Sequence, residues 1–388
     1  MFASRLRSGE ANRLSAALQE RRAAGLPIID LTESNPTRAG FTYPTGLLDG
    51  FVQPASLQYD PKAFGSAIAR RAVSDDFLRR GLEVPAKRIV LTASTSEAYS
   101  VLFKLLCDPG DRVLAPRPSY PLVEHLTLLD CVETEWYSLE FQGRWSMDLD
   151  GIARALERPG RTRAIILVSP NNPTGSVVSH EELEQIATLA ARHEVAVISD
   201  EVFADYPIQN SRCLSAAAQS RALTFSLGGL SKTVGLPQMK LGWIAVTGPE
   251  RLVDAALDRV ETICDAYLSV STPVQVAVPN LLQSGADVRE QIHRRVRENA
   301  SMLSRVADSY PSCTAFPVEA GWYGVVQIPA VKTEEAFVVE LLENTGILVH
   351  PGYFFDFERP AFLVFSLLTR PDIIAAALPA VFAATGGA

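Results

Sequence analysis

Three short apolar runs, each breaking off into polar side chains, constrain this chain most. Ala164-Ile-Ile-Leu-Val168 runs into Ser169-Pro-Asn-Asn-Pro-Thr-Gly175, and Val195-Ala-Val-Ile-Ser199 runs into Asp200-Glu-Val-Phe-Ala-Asp205. Unbroken aliphatic runs of this length, bounded by turn residues, predict strands buried on both faces, as in sheets covered by helices. Open α/β sheets place their ligands at the carboxyl ends of such strands, where these polar residues fall. The third stretch, Thr224 to Trp243, predicts a short strand, a loop carrying Lys232, and a second strand in Leu241-Gly-Trp-Ile-Ala-Val246. A buried lysine among small residues has a lowered pKa and an amine that attacks carbonyls. A solvated surface lysine is the plain alternative.

The 388 residues exceed what one core usually serves, so two lobes are expected. A net charge of −8 argues against nucleic acid as a partner, because phosphate binding needs a basic face. Five dispersed cysteines without a Cys-x-x-Cys pair fit thiols in a reducing compartment better than disulfides or a zinc site. No apolar run reaches the length of a membrane span, and Met1 to Glu10 has no signal-peptide character. A cytoplasmic protein with no membrane association is the expectation.

Along the chain, Glu10 to Ala24 carries a helical apolar stripe, and Ile28 to Leu31 reads as a short strand leading into Thr32-Glu-Ser-Asn-Pro-Thr37. Ser66 to Arg80 predicts a helix after Tyr59-Asp-Pro-Lys-Ala-Phe-Gly65. Arg88 to Leu91 predicts a strand, and Thr92-Ala-Ser-Thr-Ser-Glu97 opens a helix through Leu106. Hydroxyl residues at a helix start cap it, and its free N–H groups form an anion site. Val113 to Ala115 is a further strand before Pro118-Ser-Tyr-Pro121. Helices are expected from Glu250 to Leu268 and from Asp287 to Asp308, the second connecting to a smaller lobe. That lobe holds Ala320 to Val326, Ile347 to Gly352 and Ala361 to Leu368. The five histidines lack ligand spacing, so no metal site is expected; His350, beside Pro351-Gly352, reads as a structural histidine.

Asn172, Asp200 and Lys232, in this order and at these intervals, resemble the class I and II aminotransferases of the aspartate aminotransferase superfamily, and the likeness runs from about residue 10 to 380. The resemblance implies a pyridoxal-phosphate transferase fold: an α/β major domain with a mostly parallel central sheet at 46–280, and a smaller α+β domain from 1–45 and 281–388. It implies pyridoxal 5'-phosphate attached to Lys232, with Asp200 against the ring nitrogen and Asn172 donating to the phenolate oxygen. Asp200 as a helix cap is the structural alternative. The resemblance further implies Ser94, Thr95, Ser96, Ser231 and Lys240 at the phosphate, Tyr120 stacked on the ring, and Tyr59 reaching a partner subunit's phosphate. Ser34, Asn35 and Asn172 are the implied substrate contacts. For Asn35 and Tyr59, ordinary turn roles stand beside these.

The chain departs from that pattern in several places. Phe203 stands where the family has a tyrosine donating to the phenolate oxygen, Gly229 where it has a serine, and Ser34 and Ser94 where it commonly has glycine. Lys240 replaces an arginine, giving the phosphate a point charge in place of a fork. Val364, in Leu363-Val-Phe-Ser366, replaces the arginine that pairs with the substrate carboxylate. Either Arg370 or Arg38 takes that role, or the substrate is held differently. Tyr206 is the nearby hydroxyl that could replace the one missing at Phe203.

The expected protein is thus an aminotransferase moving an amino group between an amino acid and a 2-keto acid, as a homodimer with shared active sites. A lyase or decarboxylase on the same scaffold is the rival that the missing arginine favours. A pyridoxal-phosphate-binding regulatory module is disfavoured, because no basic DNA-binding segment precedes residue 30.

Overall fold

Burial on both sides governs the strands. The computed structural model describes residues 2–3, 5–6, 12–208 and 213–386. In chain order its strands are β1 (Ile29–Asp30), β2 (Ile89–Thr92), β3 (Arg112–Arg117), β4 (Glu133–Phe141), β5 (Trp145–Met147), β6 (Thr162–Val168) and β7 (Ala196–Asp200). There follow β8 (Thr224–Gly229), β9 (Gly242–Thr247), β10 (Thr314–Ala315), β11 (Tyr323–Gln327), β12 (Ile347–Leu348), β13 (His350–Pro351) and β14 (Phe362–Ser366). The large sheet has the order β2-β9-β8-β7-β6-β3-β4-β5. Its centre, from β4 through β3, β6 and β7 to β8, is parallel, while β9 runs antiparallel between β8 and β2.

Alternate residues of these strands feed opposite layers, as the two-residue period requires. Ala164 and Ile166 pack with Val101, Leu102 and Val253 from the helices Thr95–Leu106 and Glu250–Tyr267. Ile165 and Leu167 pack on the other face with Ile152, Leu183 and Ile186 from the helices Leu149–Glu157 and His180–Arg192. This double cover is why the strands read as unbroken apolar runs. With β3, β6, β7 and β8 adjacent, the carboxyl ends that carry Tyr120, Asn172, Asp200 and Lys232 emerge side by side.

A second core surrounds the smaller sheet, β10-β11-β14-β13. The helix Ala286–Ala307 belongs to this core: Val288, Ile292, Val296 and Leu303 are all buried in it, so the segment does more than connect two lobes. The first helix spans Arg13–Ala23, inside the expected range, of which Glu10 and Ala11 lie outside the described residues. β1 pairs in parallel with β12 as a separate two-stranded sheet, and β12 lies one residue before β13 of the smaller sheet, which attaches the early segment there. Ser366 extends that attachment: its amide donates to the Leu31 carbonyl (2.7 Å) and its hydroxyl to the Glu33 carbonyl (2.5 Å), fixing the loop that bears Ser34.

One local expectation is corrected. Lys232 sits in a one-turn helix, Leu230–Thr233, where the glycines on either side suggested an open loop. One turn leaves its terminal carbonyls without intrahelical partners. Here the Tyr206 hydroxyl donates its one proton chiefly to the Lys232 carbonyl (2.5 Å), with the Thr233 carbonyl at 3.4 Å, and the Gly235 amide also donates to the Lys232 carbonyl (3.3 Å).

Candidate active site

The carboxyl ends of the large sheet and one edge of the smaller sheet enclose a cleft of about 750 Å³. Lys232 lies on its lining, with its amine 4.8 Å from the ring centre of Trp322 and 5.6 Å from that of Phe203. Those rings strip water from the amine. Desolvation lowers the Lys232 pKa from 10.5 to about 8, although Asp200 pulls the other way. At pH 7.5 roughly a quarter of such amines are uncharged, against about one in a thousand for an ordinary lysine.

Asp200 ends β7 on the same cleft. Its carboxylate accepts hydrogen bonds from the Val202 amide (3.3 Å) and the Tyr99 hydroxyl (3.2 Å). These bonds favour the charged form, yet burial outweighs them and raises its pKa from 3.8 to about 6. At neutral pH this is a desolvated carboxylate short of a cationic partner. No helix begins at Asp200, so it does not cap one.

Asn172 follows β6 and is 7% exposed, with its amide oxygen unpartnered. Tyr120, 46% exposed, follows β3 onto the lining, and the neighbouring Ser119 amide donates to the Phe355 carbonyl at 3.0 Å. Ser94 caps the helix Thr95–Leu106: its hydroxyl accepts from the Glu97 amide at 3.1 Å, leaving its own proton free to donate. Thr95 and Ser96 form the first turn, where N–H groups have no intrahelical acceptor. Gly242 lies directly behind them; a Cβ there would come within 2.9 Å of the Ser94 carbonyl carbon and 3.0 Å of the Thr95 nitrogen. Ser231 and Lys240 also line the cleft. The helix terminus, four hydroxyl side chains and an ammonium make an anion site at this end.

These features fit pyridoxal phosphate. Its phosphate matches the anion site, its protonated ring nitrogen matches the Asp200 carboxylate, and its aldehyde matches the partly uncharged Lys232. Its phenolate oxygen matches the amide of Asn172 once the NH2 group is turned toward it.

The structure brings Ser34 to the cleft but not Asn35 or Tyr59. The Asn35 side chain accepts from the Thr37 amide (3.1 Å) and hydroxyl (2.8 Å), the local turn that Asn-Pro also suggested. Tyr59 is 80% exposed in a separate surface groove that it shares with Tyr267. Tyr206 is fully buried and spends its hydroxyl on the carbonyls below Lys232, so it does not replace the donor missing at Phe203. Val364 is buried in β14 opposite Val325 and His350. Arg370 is exposed and forks onto Asp372 (3.1 and 2.7 Å), and Arg38 is exposed; neither reaches the cleft. His350 does line it, against the rings of Phe354 and Phe355, and burial lowers its pKa to about 4.

Among the cleft residues without an assigned role from the sequence are Tyr99, Val202 and Tyr323. Tyr99 follows Thr95 by four positions, so one helix face carries both, and that spacing was the available signal. Val202 carries no polar signal at all. Tyr323, in Gly321-Trp-Tyr-Gly324, borders Phe203 edge-on at 6.2 Å, and only the tertiary fold brings it there. Among the described residues no cluster of His, Cys, Asp and Glu could hold a metal ion.

Comparison with known proteins agrees with this geometry. The family described as aminotransferase class I and II matches residues 56–377. The glutamate-pyruvate aminotransferase AlaA of Escherichia coli K12 is 27% identical over 361 residues, covering 90% of this chain and 88% of the relative. An alanine aminotransferase of Mycobacterium bovis is 26% identical over 360 residues, covering 90% and 83%. The crystal structure of an Escherichia coli aminotransferase superposes with a TM-score of 0.88 at 25% identity, over 100% of this chain and 98% of that one.

Proposed function

This chain belongs to the class I and II aminotransferases and is a pyridoxal-phosphate-dependent transaminase; within that premise we propose the following roles for its residues. The observation that carries them is the desolvated Asp200 and Lys232 pair on one cleft that also holds an anion site. When bound, the cofactor supplies an aldehyde that joins to an amine and a pyridinium ring that draws electrons from the substrate's Cα. Lys232 holds the cofactor and then moves a proton to and from Cα; with a pKa near 8 it is close to the operating pH, where general bases work best. Asp200 keeps the ring nitrogen protonated, and Tyr99 and the Val202 amide hold the carboxylate in place. Ser94, Thr95, Ser96, Ser231 and Lys240 bind the phosphate, Tyr120 stacks on the ring, and Asn172 donates to the phenolate oxygen. Ser34 and Asn172 face the substrate.

The substrates are an amino acid and a 2-keto acid. We take 46–280 as the cofactor-binding domain, with 1–45 and 281–388 as the smaller one. A homodimer with shared sites is supported by the exposed apolar residues Leu48, Val52, Leu57, Tyr59 and Ile68, since large exposed apolar groups of this kind mark interaction surfaces. A cytoplasmic location is supported by five cysteines that are all unpaired. No described helix is long and apolar enough to cross a membrane.

Borohydride reduction of the yellow protein followed by peptide mapping tests the central role. The pyridoxyl group is expected on Lys232, and mapping to Lys240 or any other lysine overturns the assignment. Spectrally following the loss of the yellow colour with a panel of amino acids then identifies the amino donor.

A further inference from the structure

We propose that Tyr323, with Ser34 and Asn172, holds the substrate's carboxylate through uncharged hydrogen-bond donors, making this an enzyme for monocarboxylic amino acids with uncharged side chains. The proposal rests on the reading of the cleft as the cofactor and substrate site.

An amino acid brings an amine and a carboxylate, and the amine must reach the position of Lys232. The cleft's positive groups are already committed: Lys232 to the aldehyde, and Lys240 with the helix terminus to the phosphate. The carboxylate is left with the wall supplied by the smaller sheet and the loop fixed to it. Polar side chains there are Ser34, Tyr323 and His350, with Asn172 beside them from β6. Among the described residues no guanidinium lies on the lining.

The donors of this wall converge. Tyr323, Ser34, Asn172 and Tyr120 share the lining of the cleft, and Ser34 and Asn172 offset part of the effect of burial on the Tyr323 hydroxyl. Burial raises the Tyr323 pKa to about 12, so it remains a protonated donor throughout the working range. The amide of Asn172 is buried with its oxygen unpartnered. That oxygen calls for a donor and is not what a carboxylate would fill; a carboxylate here can accept instead from Tyr323, Ser34 and the Asn172 NH2 group. His350, neutral at working pH because burial lowers its pKa, adds no cation.

The same wall sets the side-chain preference. Beyond the donors stand Tyr120, Leu122, Phe354 and Phe355. An acidic substrate side chain would lie desolvated and unpaired against these rings and alkyl groups. An apolar one gains by burial.

Titration of the holoenzyme by calorimetry with 3-phenylpropionate and with glutarate tests this. The monocarboxylate is expected to bind at least about 10-fold more tightly. Tyr323→Phe, which keeps the ring, should weaken 3-phenylpropionate by roughly 10- to 100-fold, the range for a lost hydrogen bond to a charged group, with bound cofactor per chain unchanged. Ser34→Ala should weaken it in the same direction. Equal affinity for the two acids, or affinity unmoved by both substitutions while the cofactor stays bound, overturns the anchor alone. A wild-type protein with no cofactor on Lys232 would remove the underlying functional reading as well.

Discussion

Replacing Asp200 with asparagine is expected to stabilise the cofactor-free protein while destroying its activity. Burial holds the Asp200 pKa near 6, against 3.8 for an ordinary aspartate, despite the opposing hydrogen bonds of Val202 and Tyr99. The native state therefore binds this proton more tightly than the unfolded chain does. Between those two values the folded protein keeps its proton while the unfolded chain has lost it, so stability falls as pH rises through the window. The deficit is complete above about pH 6 and, at 1.36 kcal/mol per tenfold difference in proton affinity, amounts to about 3 kcal/mol. Asparagine removes the charge and keeps the shape; its oxygen still accepts from the Val202 amide, and the Tyr99 hydroxyl can turn to accept from its NH2 group. Urea unfolding of both proteins, freed of cofactor, should show equal stability near pH 4 and a gain of about 3 kcal/mol for the variant at pH 7. With cofactor bound the gap should narrow, because the wild-type carboxylate then has its cationic partner. A gain that does not vary with pH, or a loss at pH 7, would refute the claim that this carboxylate is desolvated and unpaired. Turnover should meanwhile fall by several orders of magnitude, because a neutral pyridine draws electrons poorly.

Other substitutions probe the surroundings. Gly242→Ala should lower cofactor retention on dialysis without removing any polar group, because its methyl would push the Ser94–Thr95 turn out of place. Lys240→Ala should weaken cofactor binding more than it slows the chemistry, measured as dissociation constant against kcat; unchanged affinity would mark it as an ordinary surface lysine. Tyr206→Phe should cost about 1–3 kcal/mol in urea unfolding by leaving the Thr233 carbonyl unpartnered and the Lys232 carbonyl with only the Gly235 amide, without moving the pH titration of the bound cofactor's absorbance. Tyr99→Phe removes a bond that favours the ionised Asp200, so the midpoint of the pH-dependent stability loss should move above about 6.

The central strands were legible because burial on both faces leaves its mark in consecutive residues. Ile89 to Leu91 and Ala164 to Leu167 admit hardly any polar atoms, and the polar residues that follow such runs fall where the sheet ends. Asn172, Asp200 and Lys232 were visible for that reason. What escaped depends on contacts between distant segments. Tyr206 looked like a spare hydroxyl beside Phe203, and nothing local reveals that it is needed 26 residues later to terminate a one-turn helix. Tyr323 and Tyr99 are separated by more than two hundred positions, yet both line the same cleft. The helix Ala286–Ala307 looked like a charged connector because its exposed face is rich in arginine and glutamate. Its apolar stripe, four buried residues at helical spacing, belongs to the smaller core.

The hydrogen bonds of Ser366 to Leu31 and Glu33 tie events at opposite ends of the chain together. Through them Ser34 is carried by the same sheet as Tyr323 and His350, whereas Ser94 to Ser96, Ser231 and Lys240 ride on the large sheet. The two halves of the cleft are thus mounted on separate frames. Grip on a transient guest and grip on a permanent resident thus fall to different sheets, although Trp145, Phe203 and Tyr206 pack into the core of the smaller one and join the two.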